Sequence, residues 1–158
     1  MIVELLIVIV VIGILAAITI VSYSGITTRT NTSNAQSVAD TVSKKAEVYN
    51  TEPANTGYPS TLAALTGAAS TTTYYMSGVS IVTTAMNAAP TAPSYVNFWK
   101  CGTGATTTAP ADLAAITTTT GNKIGYWDYS NNVVVFDTAG VTSGLVGTYN
   151  VACYISTT

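Results

Sequence analysis

The 158-residue sequence lacks histidine and has few charged side chains, and both shortages restrict its chemistry. Without histidine, the chain has neither the usual proton shuttle near neutral pH nor the commonest metal ligand. Charged residues make up 8% of the chain, against roughly 25% in an ordinary soluble domain, and the net charge is −2. We therefore expect no basic surface for nucleic acid. The acids form no clustered motif, so we also expect no enzyme activity and no cofactor.

Cysteine is also scarce, since Cys101 and Cys153 are the only two. An even count in a chain with a membrane-targeting segment favours a disulfide formed in an oxidising compartment, and two buried thiols are the alternative. The bond would close a loop of about 50 residues, which the chain-entropy model values at about 4 kcal/mol.

One long apolar run is present near the start of the chain. From Leu5 to Val21 every residue is apolar except Thr19, and Glu4 is the only charged side chain before Arg29. The run has 17 residues, at the short end of the transmembrane range of about 17–25. No basic region precedes it, which argues against a cleaved secretory signal. The residues alone leave Glu4 either as an interfacial acid favoured by the helix dipole or as a functional carboxylate in an apolar layer.

Residues 4–18, ELLIVIVVIGILAAI, resemble the N-terminal signature of type IV pilins and type II secretion pseudopilins. The resemblance implies that a membrane prepilin peptidase removes a basic leader and methylates the new N-terminus before the pilus machinery assembles the subunit. It also implies that Glu4 pairs with the N-terminal amine of a neighbouring subunit. Opposite charges about 4 Å apart attract by roughly 4 kcal/mol at an effective dielectric of 20. The other residues that the resemblance assigns to assembly are Leu5, Leu6, Ile9, Gly13 and Ala17.

Two features depart from the family pattern. Three residues precede Glu4 where the family has four, so either one residue comes before Met1 in the mature chain or the motif is shifted. Many members also have a proline near the end of the apolar run, and the matching residues 20–22 contain none. In assembled filaments of the family, the helix often unwinds between such a glycine and that proline. Gly13 alone weakens a helix by about 1 kcal/mol, so unwinding of the helix is predicted less strongly here than in members that also have the proline.

The apolar run continues into a second helical pattern. Val38, Val42 and Tyr49 recur with helical spacing, which predicts an amphipathic helix to about Asn50 that ends before Pro53. Only this second half needs a domain packed against it, since the first half is apolar all round.

The chain is therefore divided into an apolar segment, 1–24, and a globular domain, 25–158. Residues 51–75 are predicted as a loop with a Tyr58-Pro59 element similar to the one that follows the long helix in the family. A short helix is expected near Leu62–Leu65.

The region 79–158 has the β-branched and aromatic composition of short strands. An antiparallel sheet folded onto the amphipathic half of the helix would bury both apolar faces. The predicted fold class is therefore α+β, with a long helical spine and a small antiparallel sheet on its C-terminal half. The predicted strands are Val79–Thr84, Tyr95–Lys100, Lys123–Tyr129, Val133–Asp137 and Thr148–Ile155.

Asp128 and Asp137 are weak candidates for a metal site. They could approach each other across a hairpin whose turn is residues 130–132. Some pseudopilins bind calcium in this region, and calcium prefers carboxylate and carbonyl oxygens. Solvated turn acids are the favoured interpretation.

The leading functional prediction is a structural subunit that polymerises into an extracellular type IV pilus filament and resides in the inner membrane before assembly. Head-to-tail contacts whose rotation does not close generate such helical polymers. The alternatives are a pseudopilin or minor pilin of a secretion system and a membrane-tethered ligand-binding module. Adhesion, twitching motility and DNA uptake are family activities that the sequence does not separate.

Overall fold

A computed structural model describes residues 1–103, 116–140, 145–146, 149–150 and 152–156. Helix α1 runs without interruption over Ile2–Thr51, 50 residues that span about 75 Å at 1.5 Å per residue. It ends where Glu52 is extended and its N–H donates to the Tyr49 carbonyl. Pro53 disfavours a helical conformation at Glu52, which explains why α1 stops there.

In the described part of the chain, a short helix and seven strands follow α1. Helix α2 lies close to its predicted position, and β3 begins five residues before the predicted Lys123. The elements are α2 Ala63–Thr66, β1 Ser80–Ile81, β2 Tyr95–Thr103, β3 Thr118–Asp128, β4 Val133–Gly140, β5 Leu145–Val146, β6 Tyr149–Asn150 and β7 Ala152–Ile155.

The main sheet has five strands in the order β1-β2-β3-β4, with β7 also paired to β2. One edge of β2 pairs along its length with β3. The other edge is shared, because β1 runs parallel to β2 at Tyr95 and Val96, and β7 runs antiparallel from Trp99 to Gly102. A separate two-stranded sheet pairs β5 with β6. The described part of the predicted strand Thr148–Ile155 therefore belongs to two sheets, through β6 and β7, and Thr148 and Val151 lie outside the described residues.

The α+β class is confirmed, but the sheet is mixed rather than purely antiparallel. Strand β1 is also shorter than the predicted Val79–Thr84, and Asn97 explains why. Its side-chain amide donates to the carbonyls of Val82 at 2.5 Å and Thr84 at 2.8 Å. The last backbone hydrogen bond of this pairing joins the Val82 N–H to the Val96 carbonyl. Beyond it, the Asn97 side chain takes the place of the backbone hydrogen bonds that would extend the strand.

The core lies between the second half of α1 and one face of the sheet. The helix contributes small residues at helical spacing, and the sheet places large side chains against them, so the two elements can approach closely. The fully buried members are Ala39, Val42 and Ala46 from α1, Leu65 from α2, and Val96, Phe98 and Ile124 from the sheet. The predicted contacts Val38 and Tyr49 pack against this cluster and are partly buried.

Candidate assembly surface

The first half of α1 is not covered by the domain. Every residue from 1 to 30 is exposed, and large apolar side chains such as Leu5 and Ile9 retain 68% and 58% of their accessible surface. The helix is long and apolar enough to cross a membrane. Monomeric soluble proteins rarely expose an apolar surface of this extent. The segment is compatible with a membrane anchor, and it needs lipid or other helices around it.

The residues that the resemblance to pilins assigns to assembly all lie on this uncovered segment. Glu4 is in the first turn of α1, where the helix dipole favours a carboxylate. Leu5, Ile9, Gly13 and Ala17 follow at four-residue spacing and therefore form one ridge of the helix. Leu6 lies beside the start of this ridge.

The helix remains continuous through Gly13 in the single chain. No atom outside the local backbone lies within 4 Å of the position that a Cβ would take at Gly13. The glycine therefore leaves an open notch in the ridge, and a neighbouring helix can approach its backbone closely.

Hydroxyl side chains lie near the end of the apolar run and beyond it, and several of them donate hydrogen bonds to backbone carbonyls of α1. Thr19 donates to the Ala16 carbonyl at 2.9 Å, Ser24 to Val21 at 3.0 Å and Thr27 to Tyr23 at 2.9 Å. A hydroxyl bonded in this way can enter an apolar environment without leaving an unpaired donor. Bonds of this kind lower the cost of burying the helix beyond Val21.

In addition to the core contacts, hydrogen bonds link α1 to the turn of the β3–β4 hairpin. The Thr32 hydroxyl donates to Asp128 Oδ1 at 3.1 Å, and the backbone N–H groups of Ser130 and Asn131 donate to the same oxygen. The Asn131 side chain donates to Asp128 Oδ2 at 2.7 Å. This bond is the largest cause of the lowered pKa of Asp128. Burial opposes it, and the backbone and Thr32 bonds lower the pKa further.

Asp128 is therefore a turn acid, and the hairpin does not bring it to Asp137. The register places Asp128 opposite Val133 and Asp137 opposite Ile124, four positions away along the ladder. Asp137 accepts from the Thr138 N–H at 2.9 Å. Among the described residues, no group of three or more histidine, cysteine or acidic side chains could hold a metal ion.

The two cysteines join the edge strand β7 to the centre of the sheet. Cys101 and Cys153 are partners in the antiparallel register of β2 and β7, and they form a disulfide with Cα atoms 4.0 Å apart. The predicted pairing is confirmed. Cys101 is fully buried, so the bond anchors β7 to the interior of the domain.

Sequence reasoning missed one link that holds the distal end of the domain together. The Glu47 carboxylate accepts from the Tyr58 hydroxyl at 2.6 Å and from the Gly140 N–H at 2.8 Å. It thereby joins α1, the loop after α1 and the end of β4. Burial, reinforced by the Glu47 carboxylate, raises the pKa of Tyr58 to about 12. No local pattern signals this link, because its members are 11 and 93 positions apart.

In comparisons with known proteins, the chain matches no family model, no curated protein and no solved structure. Its class therefore rests on the molecule itself. A long apolar helix, a small sheet packed on its second half and a disulfide are together compatible with a pilin-like fold.

Proposed function

We propose that this chain is a pilin-like structural subunit that polymerises into a filament at the cell surface. The observation that carries the proposal is the division of α1 into two halves. Its second half buries Ala39, Val42 and Ala46 under the sheet, and residues 1–30 are uncovered and mostly apolar. A helix of this kind anchors the free subunit in the inner membrane and joins other copies of itself in the filament core.

The hydrophobic effect supplies the driving force for leaving water, since each fully buried Leu, Ile or Val side chain contributes about 1.5–3 kcal/mol. When the helix moves from lipid into the filament, the hydrophobic free energy changes little, because lipid is as apolar as another helix. Close packing and charge pairing must then favour the polymer. The ridge of Leu5, Ile9, Gly13 and Ala17 provides the packing surface, with its two smallest side chains at the end nearer the domain.

Glu4 provides the charge pairing in this proposal. A carboxylate beside a long apolar run is poorly solvated by lipid. Pairing with the N-terminal amine of a neighbouring subunit would offset the free-energy cost of its desolvation. Such a pair also fixes the axial offset between subunits. Head-to-tail contacts of this type generate an open helical polymer rather than a closed ring. The function is structural, and the partners are other copies of the chain, the membrane, a prepilin peptidase and an assembly machinery.

Substitution of Glu4 tests the assembly role. We expect Glu4→Gln and Glu4→Leu to leave the subunit in the membrane fraction and to abolish filaments in electron micrographs of sheared surface material. Glu52→Gln is the matched control, because it removes one negative charge outside the uncovered segment and should leave filament yield unchanged. Normal filaments from either Glu4 variant would refute the pairing.

The same material answers two further questions. A filament in which this chain is the bulk component indicates a major subunit, and a trace amount indicates a minor pilin or pseudopilin. Mass spectrometry of the first residue tests the peptidase and the methylation. A stable membrane-bound monomer, with no polymer under any condition, would favour the tethered ligand-binding module instead.

A further inference from the structure

A small polar cleft of about 220 Å³ lies at the far end of the domain, beside the end of α1. Loop residues 56–60 form one side, and β2 and the start of β3 form the other. Hydroxyl groups and one ammonium dominate its surface. The side chains that matter for its chemistry are those of Tyr49, Tyr58, Ser60, Lys100, Thr117 and Thr119.

Among the described residues, Lys100 is the one cation that lines this cleft. Its side chain is half-buried, and its ammonium donates to the Ile116 carbonyl at 2.9 Å. An ammonium has three donors, and within the described residues this carbonyl is the one partner of Lys100. Burial lowers the pKa of Lys100, and among the described residues no acid opposes that shift. With respect to that part of the chain, Lys100 is a partly desolvated cation without a counter-charge, and an anion in the cleft would relieve the cost of its desolvation.

The walls of the cleft are held in place by specific contacts. The Asn122 side chain donates to the Pro59 carbonyl at 2.9 Å, and Glu47 fixes the Tyr58 hydroxyl. Gly57 has a φ of +107°, and a Cβ there would lie 3.1 Å from the Thr119 carbonyl oxygen. The loop therefore lies directly against β3. A cleft formed in advance saves the ordering cost that a ligand would otherwise have to offset.

The chemistry of the cleft selects the kind of anion. One lysine supplies a single point charge that matches a single negative charge, whereas a phosphate group carries close to two negative charges and would leave one of them unpaired here. The volume is below the roughly 300–1,000 Å³ of clefts for drug-sized ligands, so one small ring fills it. Two tyrosine rings and four Ser/Thr hydroxyls, those of Thr56, Ser60, Thr117 and Thr119, suit a hydroxylated ligand. Glu47, the acid bonded to Tyr58, has both oxygens occupied by hydrogen bonds.

We propose that this cleft binds a carboxylate-bearing sugar, such as a single uronic acid residue, with Lys100 paired to the carboxylate. The hydroxyls of Ser60, Thr117 and Thr119 would contact the sugar hydroxyls. This binding goes beyond the proposed filament function and does not depend on it, because every lining residue belongs to one chain.

Calorimetric titration of the full-length chain in detergent with glucuronate tests the proposal. Acetate, glucose and sulfate are the reference ligands, and each should bind more weakly than glucuronate. Lys100→Met should weaken glucuronate binding by about tenfold or more, the loss typical of a charged hydrogen bond. Lys44→Met removes an exposed lysine of α1 and should leave the affinity unchanged. Thr119→Val is a second variant, in case Lys100→Met does not fold by circular dichroism.

The proposal is overturned if glucuronate does not bind, or if acetate, glucose or sulfate binds as tightly. It is also overturned if a folded Lys100→Met protein keeps the parent affinity, or if Lys44→Met loses as much affinity. Because the chain is dispersed in detergent, a failure here leaves the filament proposal standing, and the reverse is also true.

Discussion

Reduction of the Cys101–Cys153 disulfide should destabilise the domain by a calculable amount. The two cysteines are separated by 52 positions. The loss of chain entropy from closing a loop of that length stabilises the folded state by about 4 kcal/mol. Domains of ordinary stability have a free energy of unfolding of about 5–15 kcal/mol, so the bond supplies a large share. We expect β7 to stay paired with β2 after reduction, so this pairing should cancel in the comparison.

Urea unfolding of the oxidised and reduced chain, followed by tryptophan fluorescence, measures this difference. Trp99 and Trp127 both lie in the sheet, and α1 has no tryptophan, so the signal reports the domain alone. Reduction should lower the midpoint and increase the slope, because the unfolded chain then exposes more surface. The double variant Cys101→Ala, Cys153→Ala is the control and should unfold close to the reduced parent. A difference below about 1 kcal/mol would refute the loop-entropy account.

Two further substitutions test individual contacts. Tyr58→Phe should lower the free energy of unfolding by about 1 kcal/mol at neutral pH, a modest value because the Glu47 bond is solvent-accessible. The raised pKa makes this contribution complete below pH 10.0 and lost between there and about 12, so the parent–variant difference should vanish in alkaline titration. Gly102→Ala should cost about 1–3 kcal/mol in thermal denaturation, because its methyl collides with the Thr118 carbonyl. Gly25→Ala, with open space around it, should not destabilise α1.

The helix was predictable because its signals are local. An apolar run, a periodic second half and Pro53 after the end all act over a few residues. The start of β3 was not, because Gly121 and Asn122 are poor strand formers. They are in the sheet because pairing with β2 on one side and β4 on the other overrides their weak preference. The short length of β1 likewise depends on a side chain that is distant in sequence, that of Asn97.

The same distinction separates the two candidate sites. Glu4 and the ridge behind it can be identified from the sequence, since every member lies on one helix with fixed geometry. The cleft around Lys100 cannot, because it is assembled from residues between Tyr49 and Thr119 that only the folded sheet brings together. A lysine in a strand gives no sign of whether its ammonium is paired until its neighbours in space are known.

The back-bonded hydroxyls give α1 two different effective lengths for a bilayer. The apolar run, residues 5–21, extends for about 26 Å, and the uncharged run, residues 5–28, extends for about 36 Å. The hydrocarbon core of a typical bilayer, about 30 Å thick, lies between them. A thinner membrane would leave Ser24 and Thr27 among the headgroups, and a thicker one would cover them at little cost. The helix would therefore tolerate a range of membrane thickness without the tilting or bilayer stretching that hydrophobic mismatch otherwise requires.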